Sequence, residues 1–364
     1  MDYSQIKTDC VYFKGDRPCG PHKNCGIHCV EGETSCQYYK PVKERILLVK
    51  LGFIGDVIRT TPLLTKLKAE YPQAKFFWLT STPSVIPAQV DVILDFNLQS
   101  ILFLKGIQFD LAINLDKDRE ACALINHINC LERRGYILQD GISAPADEKA
   151  VAKYMTGLFD DLNKQNDKNY LEEIFQICGY KFGGEKYILS SFNEYKDCWK
   201  RLDKTKKIVG LNTGCGERWT SRLWKDENWI SIAKKLINMN YEVLFLGGEQ
   251  EDEKNKRLAE ESDAKYFGCF KLEKFINLVD QCDLVVTGVT MAMHVAIALN
   301  KKIVLFNNIF NPKEFELYGL GEIVAPSKEC QCFLSPKCQN EEYNCMDYIE
   351  PERVFHTIMK LLRQ

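Results

Sequence analysis

The chain has 364 residues, 45% hydrophobic and 27% charged, with a formal net charge of −2. That length suits two domains of ordinary size and full cores, and the composition excludes disorder. The balanced charge supplies no global field to recruit nucleic acid, so no nucleic-acid partner is expected.

The opening MDYSQIKTDC lacks the apolar core of a secretory signal. The most apolar longer stretch, Leu284 to Leu299, is interrupted by Thr287, Gly288, Thr290 and His294. It falls short of the roughly 20 residues a spanning helix needs. The expectation is a cytoplasmic protein without a membrane span, whose only membrane contact would be peripheral.

Taken in chain order, residues 1–43 form a head with Cys10, Cys19, Cys25, Cys29 and Cys36, and with His22 and His28 in reach. So short a segment can scarcely build a core, and a bound metal would replace one. Residues 44–200 read as a first domain. Strands are expected at 46–51, 75–80, 91–96, 109–115 and 133–138, with a helical pattern over 56–70 and a mostly helical stretch over 145–200. Ile46 to Val49 is a continuous apolar run, as a strand buried on both faces requires. It breaks at Gly52 and Gly55, and Asp56 follows at the start of the helical pattern.

The basic stretch Lys200 to Lys207 reads as a solvated linker, and residues 201–348 as a second domain. Its strands are expected at 208–214, 241–248, 265–268, 284–288 and 301–308. Helices are expected from Asp226, from beyond Gly248 to about 261, and over 272–280 and 290–299. Alternating strands and helices imply βαβ units and parallel sheets. The fold class is therefore α/β, with two Rossmann-like domains facing across a cleft. The amphipathic stretch Pro351 to Leu362, within 349–364, is expected to cross back onto the first domain. Before it, Cys330, Cys332, Cys338 and Cys345 offer four soft ligands suited to tetrahedral zinc or an iron centre. In both cysteine clusters the alternative is independent reduced thiols.

A carboxylate at a strand-to-helix switch stands where α/β folds place chemistry, although Asp56 could also serve only as a helix cap. In the second domain, glycine turns end strands and open helices, which suits phosphate binding by helix amides. Thr213 and Gly214 end one strand, followed by Arg222 and Lys225, cations able to meet a diphosphate. Gly248 is followed by Glu249, able to accept from ribose hydroxyls. Thr290 and Met291 open the helix that carries His294, which has a core role as its alternative. Asp116-Lys117-Asp118 has the form of a metal-binding Asp-x-Asp, but an acceptor-side contact by Asp116, with Gly52 and Gly55, is the better use of it.

Together these segments resemble glycosyltransferase family 9, the ADP-heptose-dependent heptosyltransferases of GT-B architecture, over roughly residues 44–362. The motifs are LGFIGDVIRTTPLL, NTGCGERWTSRLWKDENWISIA, LFLGGEQED and LVVTGVTMAMHVAIAL, with CQCFLSPKCQNEEYNCMDYI similar to a Cys-containing tail seen in many members. The resemblance implies an inverting transfer of a heptose or similar sugar from an ADP-sugar to a glycan, lipid-linked or protein hydroxyl, without a catalytic cofactor. It makes Asp56 the general base, places Arg222 where the family has a Lys on the β-phosphate, gives Glu249 the ribose, and gives Thr290 and the Met291 amide a phosphate. A structural zinc or iron in the cysteine clusters would lie outside the reaction.

One departure stands out. Val289, Thr290 and Met291 replace the family's acidic residue, Ser or Thr, and Gly, which leaves the donor sugar open. Two other readings remain at this stage. One is a sugar-nucleotide-binding protein of the same fold without turnover. The other is a nucleotide-dependent redox protein using the cysteines, although G-x-x-G-D is not the dinucleotide fingerprint.

Overall fold

The computed structural model describes residues 3–30, 36–216 and 218–363. They form two compact units, one of residues up to 52 with 63–150, the other of 53–62 with 151–364. The first part of the chain runs α1 (Gly20–Cys25), β1 (Arg45–Val49), α2 (Ile54–Ile58), α3 (Leu63–Glu70), β2 (Lys75–Thr80), β3 (Val92–Asp95) and α4 (Leu98–Lys105). It continues through β4 (Gln108–Asn114), α5 (Arg119–Asn126), β5 (Asn129–Gln139), β6 (Ile142–Pro145) and α6 (Glu148–Thr156).

The first unit's sheet has the order β3-β2-β1-β4-β5-β6. It is parallel except where β6 returns against β5. Ile46, Leu47, Leu48 and Val49 are at most 1% exposed, as expected of a central strand covered on both faces. The β5–β6 hairpin, absent from the sequence-based expectation, turns on Asp140 and Gly141 at φ of 51° and 79°. Two successive left-handed residues are what a tight hairpin loop of Asp-Gly needs.

The helix expected over 56–70 is two helices. Pro62 lacks an amide proton and crowds the preceding turn, and the Thr60 and Thr61 hydroxyls donate to the carbonyls of Asp56 and Ile58, each at 2.7 Å. The break sends 53–62 to the second unit while α3 stays with the first.

The second part contains α7 (Asp160–Gln165), α8 (Tyr170–Ile177), β7 (Ile208–Asn212), α9 (Asp226–Asn238), β8 (Glu242–Leu246), α10 (Asp252–Ser262) and α11 (Leu272–Asp280). Then follow β9 (Leu284–Gly288), α12 (Met291–Ala298), β10 (Lys302–Phe306), β11 (Gly321–Val324) and α13 (Pro351–Arg363). The sheet order is β11-β10-β9-β7-β8, all parallel. The strand expected at 265–268 is a single bridge from Lys265 to Leu244, because Phe267 packs edge-on against Trp199 and Gly268 turns at φ 99°.

The division falls at 150 rather than at 200. Trp199 is buried and donates through Nε1 to Asn277 Oδ1 of α11 at 2.6 Å, so the stretch before 200 is anchored to the second unit. The basic stretch is not a loose linker either, since Leu202 is buried and Lys207 Nζ donates to the Leu362 carbonyl at 2.6 Å. The expected return of the terminal helix to the first domain is also corrected. Val354, Ile358, Leu361 and Leu362 of α13 join the second unit's core beside Val209, Trp229 and Val304, which uses up the helix's apolar stripe. Among the described residues no helix is long and apolar enough to cross a membrane.

Candidate functional site

The second unit gathers polar groups at the carboxyl ends of β7, β8 and β9. Asn212, which ends β7, donates to the hydroxyls of Thr287 at 3.0 Å and Thr290 at 3.4 Å. Thr213 donates to Asn255 of α10 at 2.6 Å, and Asn255 donates to the last carbonyl of β8 at 3.2 Å. Thr213 is 3% exposed, so it braces the turn and presents no hydroxyl for a ligand. At Gly214 a Cβ would stand 2.4 Å from the Glu251 carboxylate, so a larger residue there would displace the Glu251 side chain. Gly248 donates its amide to Glu251 at 2.9 Å, while Glu249 beside it is exposed. Thr290 sits at the N-cap of α12 with its hydroxyl 3.0 Å from that of Thr287. Of the first-turn amides that follow, that of Met291 lacks an intrahelical partner by construction, whereas Met293 donates to the Thr290 carbonyl at 3.2 Å.

Arg222 is a buried cation at this edge, where Lys254 also donates to the Thr213 carbonyl at 3.1 Å. Arg222 is 9% exposed, donates to the carbonyls of Val289 and Cys215, and lies between the rings of Trp219 and Phe310 at 5.2 and 5.3 Å. Its Nε is buried without a hydrogen-bond partner, and no ion pair among the described residues includes it. Burial draws its pKa down to about 10. Lys225, expected alongside it, instead pairs with Asp347 at 2.9 Å and stays 57% exposed. Lys225 stands at the N-cap of α9, where this pair ties it to the segment leading into α13.

A second cluster stands on α2. Arg59, three residues after Asp56, lies 2.7 Å from Asp56 Oδ1 and 2.8 Å from Glu314 Oε1, with its guanidinium 3.3 Å from the Tyr170 ring centroid. The Asp56 side chain remains 28% exposed. Burial alone would lower the Arg59 pKa, but Asp56, Tyr170 and Glu314 hold it above its ordinary value. His294 packs beside this cluster: a Cβ on Gly55 would lie 2.5 Å from its ring, and the Tyr187 ring stacks at 6.1 Å. His294 Nδ1 is buried without a partner, and burial, then Arg59, pull its pKa down to about 3. It is a neutral imidazole. The sequence reading missed Arg59, Glu314, Tyr170 and Tyr187. Helical spacing from Asp56 could have flagged Arg59, whereas Glu314 carries no local signal.

In the first unit, Asp116 is 5% exposed and accepts from Lys50 Nζ and from the amides of Leu51 and Gly52, the last at 3.2 Å. Its carboxylate is spent holding the turn after β1, which corrects the acceptor contact expected of it. Gly52 contributes its amide to that brace.

The model for glycosyltransferase family 9 (heptosyltransferase) matches residues 103–343. The chain belongs to this family. It is 23% identical over 292 residues to lipopolysaccharide heptosyltransferase 2 of Salmonella typhimurium, covering 71% of this chain and 81% of that protein. Among solved structures it is similar to the family 9 glycosyl transferase from Veillonella parvula, with TM-score 0.67, 19% identity, and 88% and 98% of the two chains covered. It is also similar to E. coli ADP-heptose lps heptosyltransferase II, with TM-score 0.64, 19% identity, and 88% and 99% covered. The fold is thus GT-B and the protein a heptosyltransferase-like glycosyltransferase.

In the head, Cys10, Cys19, Cys29 and Cys36 line one small cavity with Tyr12, Phe13, Pro21 and Tyr38. Burial raises the Cys29 thiol, and Cys19, Cys10 and Cys36 add to it. Cys25 lies apart, exposed and 3.7 Å from the Tyr38 hydroxyl. In the tail, Cys332 and Cys338 are 3.9 Å apart, and a hydrogen bond between Cys330 and Cys345 pushes Cys330 up and pulls Cys345 down. Backbone amides of Cys332 and Gln339 donate to Cys330 and Cys332 at 3.4 and 3.1 Å, and Asn308 donates to Cys345 at 3.3 Å. Such N–H···S bonds are the outer support a thiolate metal site uses. As they stand, however, no group of three or more His, Cys, Asp or Glu among the described residues is arranged as a metal site.

Proposed function

We propose that this enzyme transfers a heptose, or a sugar of similar build, from an ADP-sugar to a hydroxyl of a glycan, lipid-linked or protein acceptor in the cytoplasm, with inversion at the anomeric carbon. The observation that carries the donor side is Arg222, a buried cation with carbonyls but no carboxylate around it. Buried charges are paired, or cost several kcal/mol, and a diphosphate is the anion that suits this place beside the amides opening α12. Glu249, exposed after Gly248, is placed to accept from a ribose.

In the reaction the acceptor oxygen bonds to the anomeric carbon as the bond to the β-phosphate oxygen breaks. ADP departs with that electron pair, and the hydroxyl proton passes to Asp56. General-base assistance of this kind contributes on the order of 10²–10⁴ in rate. Arg222 and the helix amides stabilise the charge growing on the leaving diphosphate. His294, neutral and buried at Nδ1, backs the cluster that holds Asp56 rather than meeting the sugar. Phe53, 80% exposed three residues before Asp56, offers an acceptor ring a flat apolar face. The four tail thiols, through their donor chemistry, would hold a structural zinc or iron ion that takes no part in transfer.

Calorimetry with ADP, GDP and UDP, repeated on Arg222→Ala and Asp56→Asn, tests the reading. ADP should bind best, and Arg222→Ala should weaken it by about 1.5–3 kcal/mol, the range of a lost charge-assisted contact. Asp56→Asn should keep ADP affinity and lose transfer. Unchanged ADP affinity in the first variant removes the diphosphate from Arg222; near wild-type turnover in the second removes Asp56 as base.

A further inference from the structure

The ion pair that holds Asp56 poses a chemical difficulty for a base. A guanidinium 2.7 Å from Asp56 Oδ1 stabilises the charged carboxylate, which lowers its affinity for the very proton it must accept. The same guanidinium is shared with a second carboxylate, that of Glu314, at 2.8 Å. Arg59 reaches both from the end of α2, with its plane fixed against Tyr170 of α8. A planar fork stacked on a ring orients what it binds, and the three side chains are 14%, 28% and 22% exposed for Arg59, Asp56 and Glu314. Two carboxylates on one guanidinium leave the cluster with one excess negative charge.

We propose that Glu314 is a positioning residue for transfer: it draws off part of the Arg59 charge, so that Arg59 aims the Asp56 carboxylate without disabling it as a base. The inference rests on Asp56 being the base. Other titratable groups face the cluster. His294 of α12 is neutral above pH of about 3, and burial pushes the Tyr187 hydroxyl up, so it stays protonated. Glu316 and Tyr318 lie against Tyr187 on the segment after Glu314, and burial keeps Tyr318 protonated too. Lys153 of α6 lies 5.1 Å from the Tyr170 ring centroid and pairs with Glu173 at 2.6 Å. Neither His294 nor the two tyrosines changes charge between pH 5 and 8.

The test is the pH profile of kcat/KM for wild type, Glu314→Gln, Glu314→Asp and Asp56→Asn, with ADP affinity measured on each. Glu314→Gln keeps an acceptor for Arg59 but loses the charge. Its acid limb should move to lower pH by roughly half a unit to one unit, and its plateau kcat should fall about three- to ten-fold as the base weakens. ADP affinity should be unchanged, and Glu314→Asp should recover most of the loss. An unmoved profile in Glu314→Gln, or equal losses in Gln and Asp variants accompanied by weaker ADP binding, overturns the proposal. If Asp56→Asn is inactive while Glu314→Gln behaves as wild type, this inference alone falls. If Asp56→Asn stays active, the base assignment falls and takes the inference with it.

Discussion

His294 shows how a side chain legible as a motif residue acquires its character only from its neighbours. With Gly55 against its ring and Arg59 nearby, the folded protein resists protonating it, whereas an unfolded chain takes the proton near pH 6.5. Between about 3 and 6.5 the unfolded state therefore binds more protons, and stability falls as pH is lowered. Below 6.5 the loss should be about 1.4 kcal/mol per pH unit. Urea unfolding at pH 7 and pH 5 should show a smaller drop for His294→Gln than for wild type, by about 2 kcal/mol. Equal drops would mean that His294 titrates normally in the fold. Asp56 was visible because its motif is local, and Arg222 because it follows a glycine turn. Glu314 was invisible because its partner is 255 positions away.

At the scale of elements, parallel strands were readable because strands covered on both faces are written as unbroken apolar runs. β1, β7 and β9 are of this kind. The partly exposed β6 and β11 lack that signature and went unread, and the helical period ran through Pro62 although the backbone could not. The cysteine tail is an element whose use is tertiary. The Ser221 amide donates to the Pro336 carbonyl at 3.2 Å and its hydroxyl to the Ser335 carbonyl at 2.9 Å, so the loop between Cys332 and Cys338 buttresses the turn carrying Arg222. Protein purified without added metal should contain about one equivalent of zinc or iron per tail site, by elemental analysis. Cys332→Ser and Cys345→Ser should lose it, melt earlier and bind ADP more weakly. Metal-free protein with normal melting and ADP affinity would leave these cysteines as plain reduced thiols.

For the molecule as a whole, neither unit is a continuous stretch of chain: it passes between them after 52, after 62 and after 150. A fragment of residues 151–364 would lack the segment that fills the space between Tyr170, His294 and Glu314. Its melting temperature should fall below that of the intact protein. A free peptide of residues 53–62 should not restore it, since isolated helices this short are marginal in water, whereas the same segment joined to the fragment's N-terminus through a flexible linker should. Equal stability with and without the segment would show that 53–62 contributes nothing to the second unit. The interleaving also sets an order in time. Arg59 is synthesised 255 residues ahead of Glu314, roughly 13–50 s at cellular elongation rates of about 5–20 residues per second. The segment 53–62 must wait on the ribosome until Glu314 has been made, so a prematurely terminated product carries the motif in its sequence but never the Arg59–Glu314 ion pair.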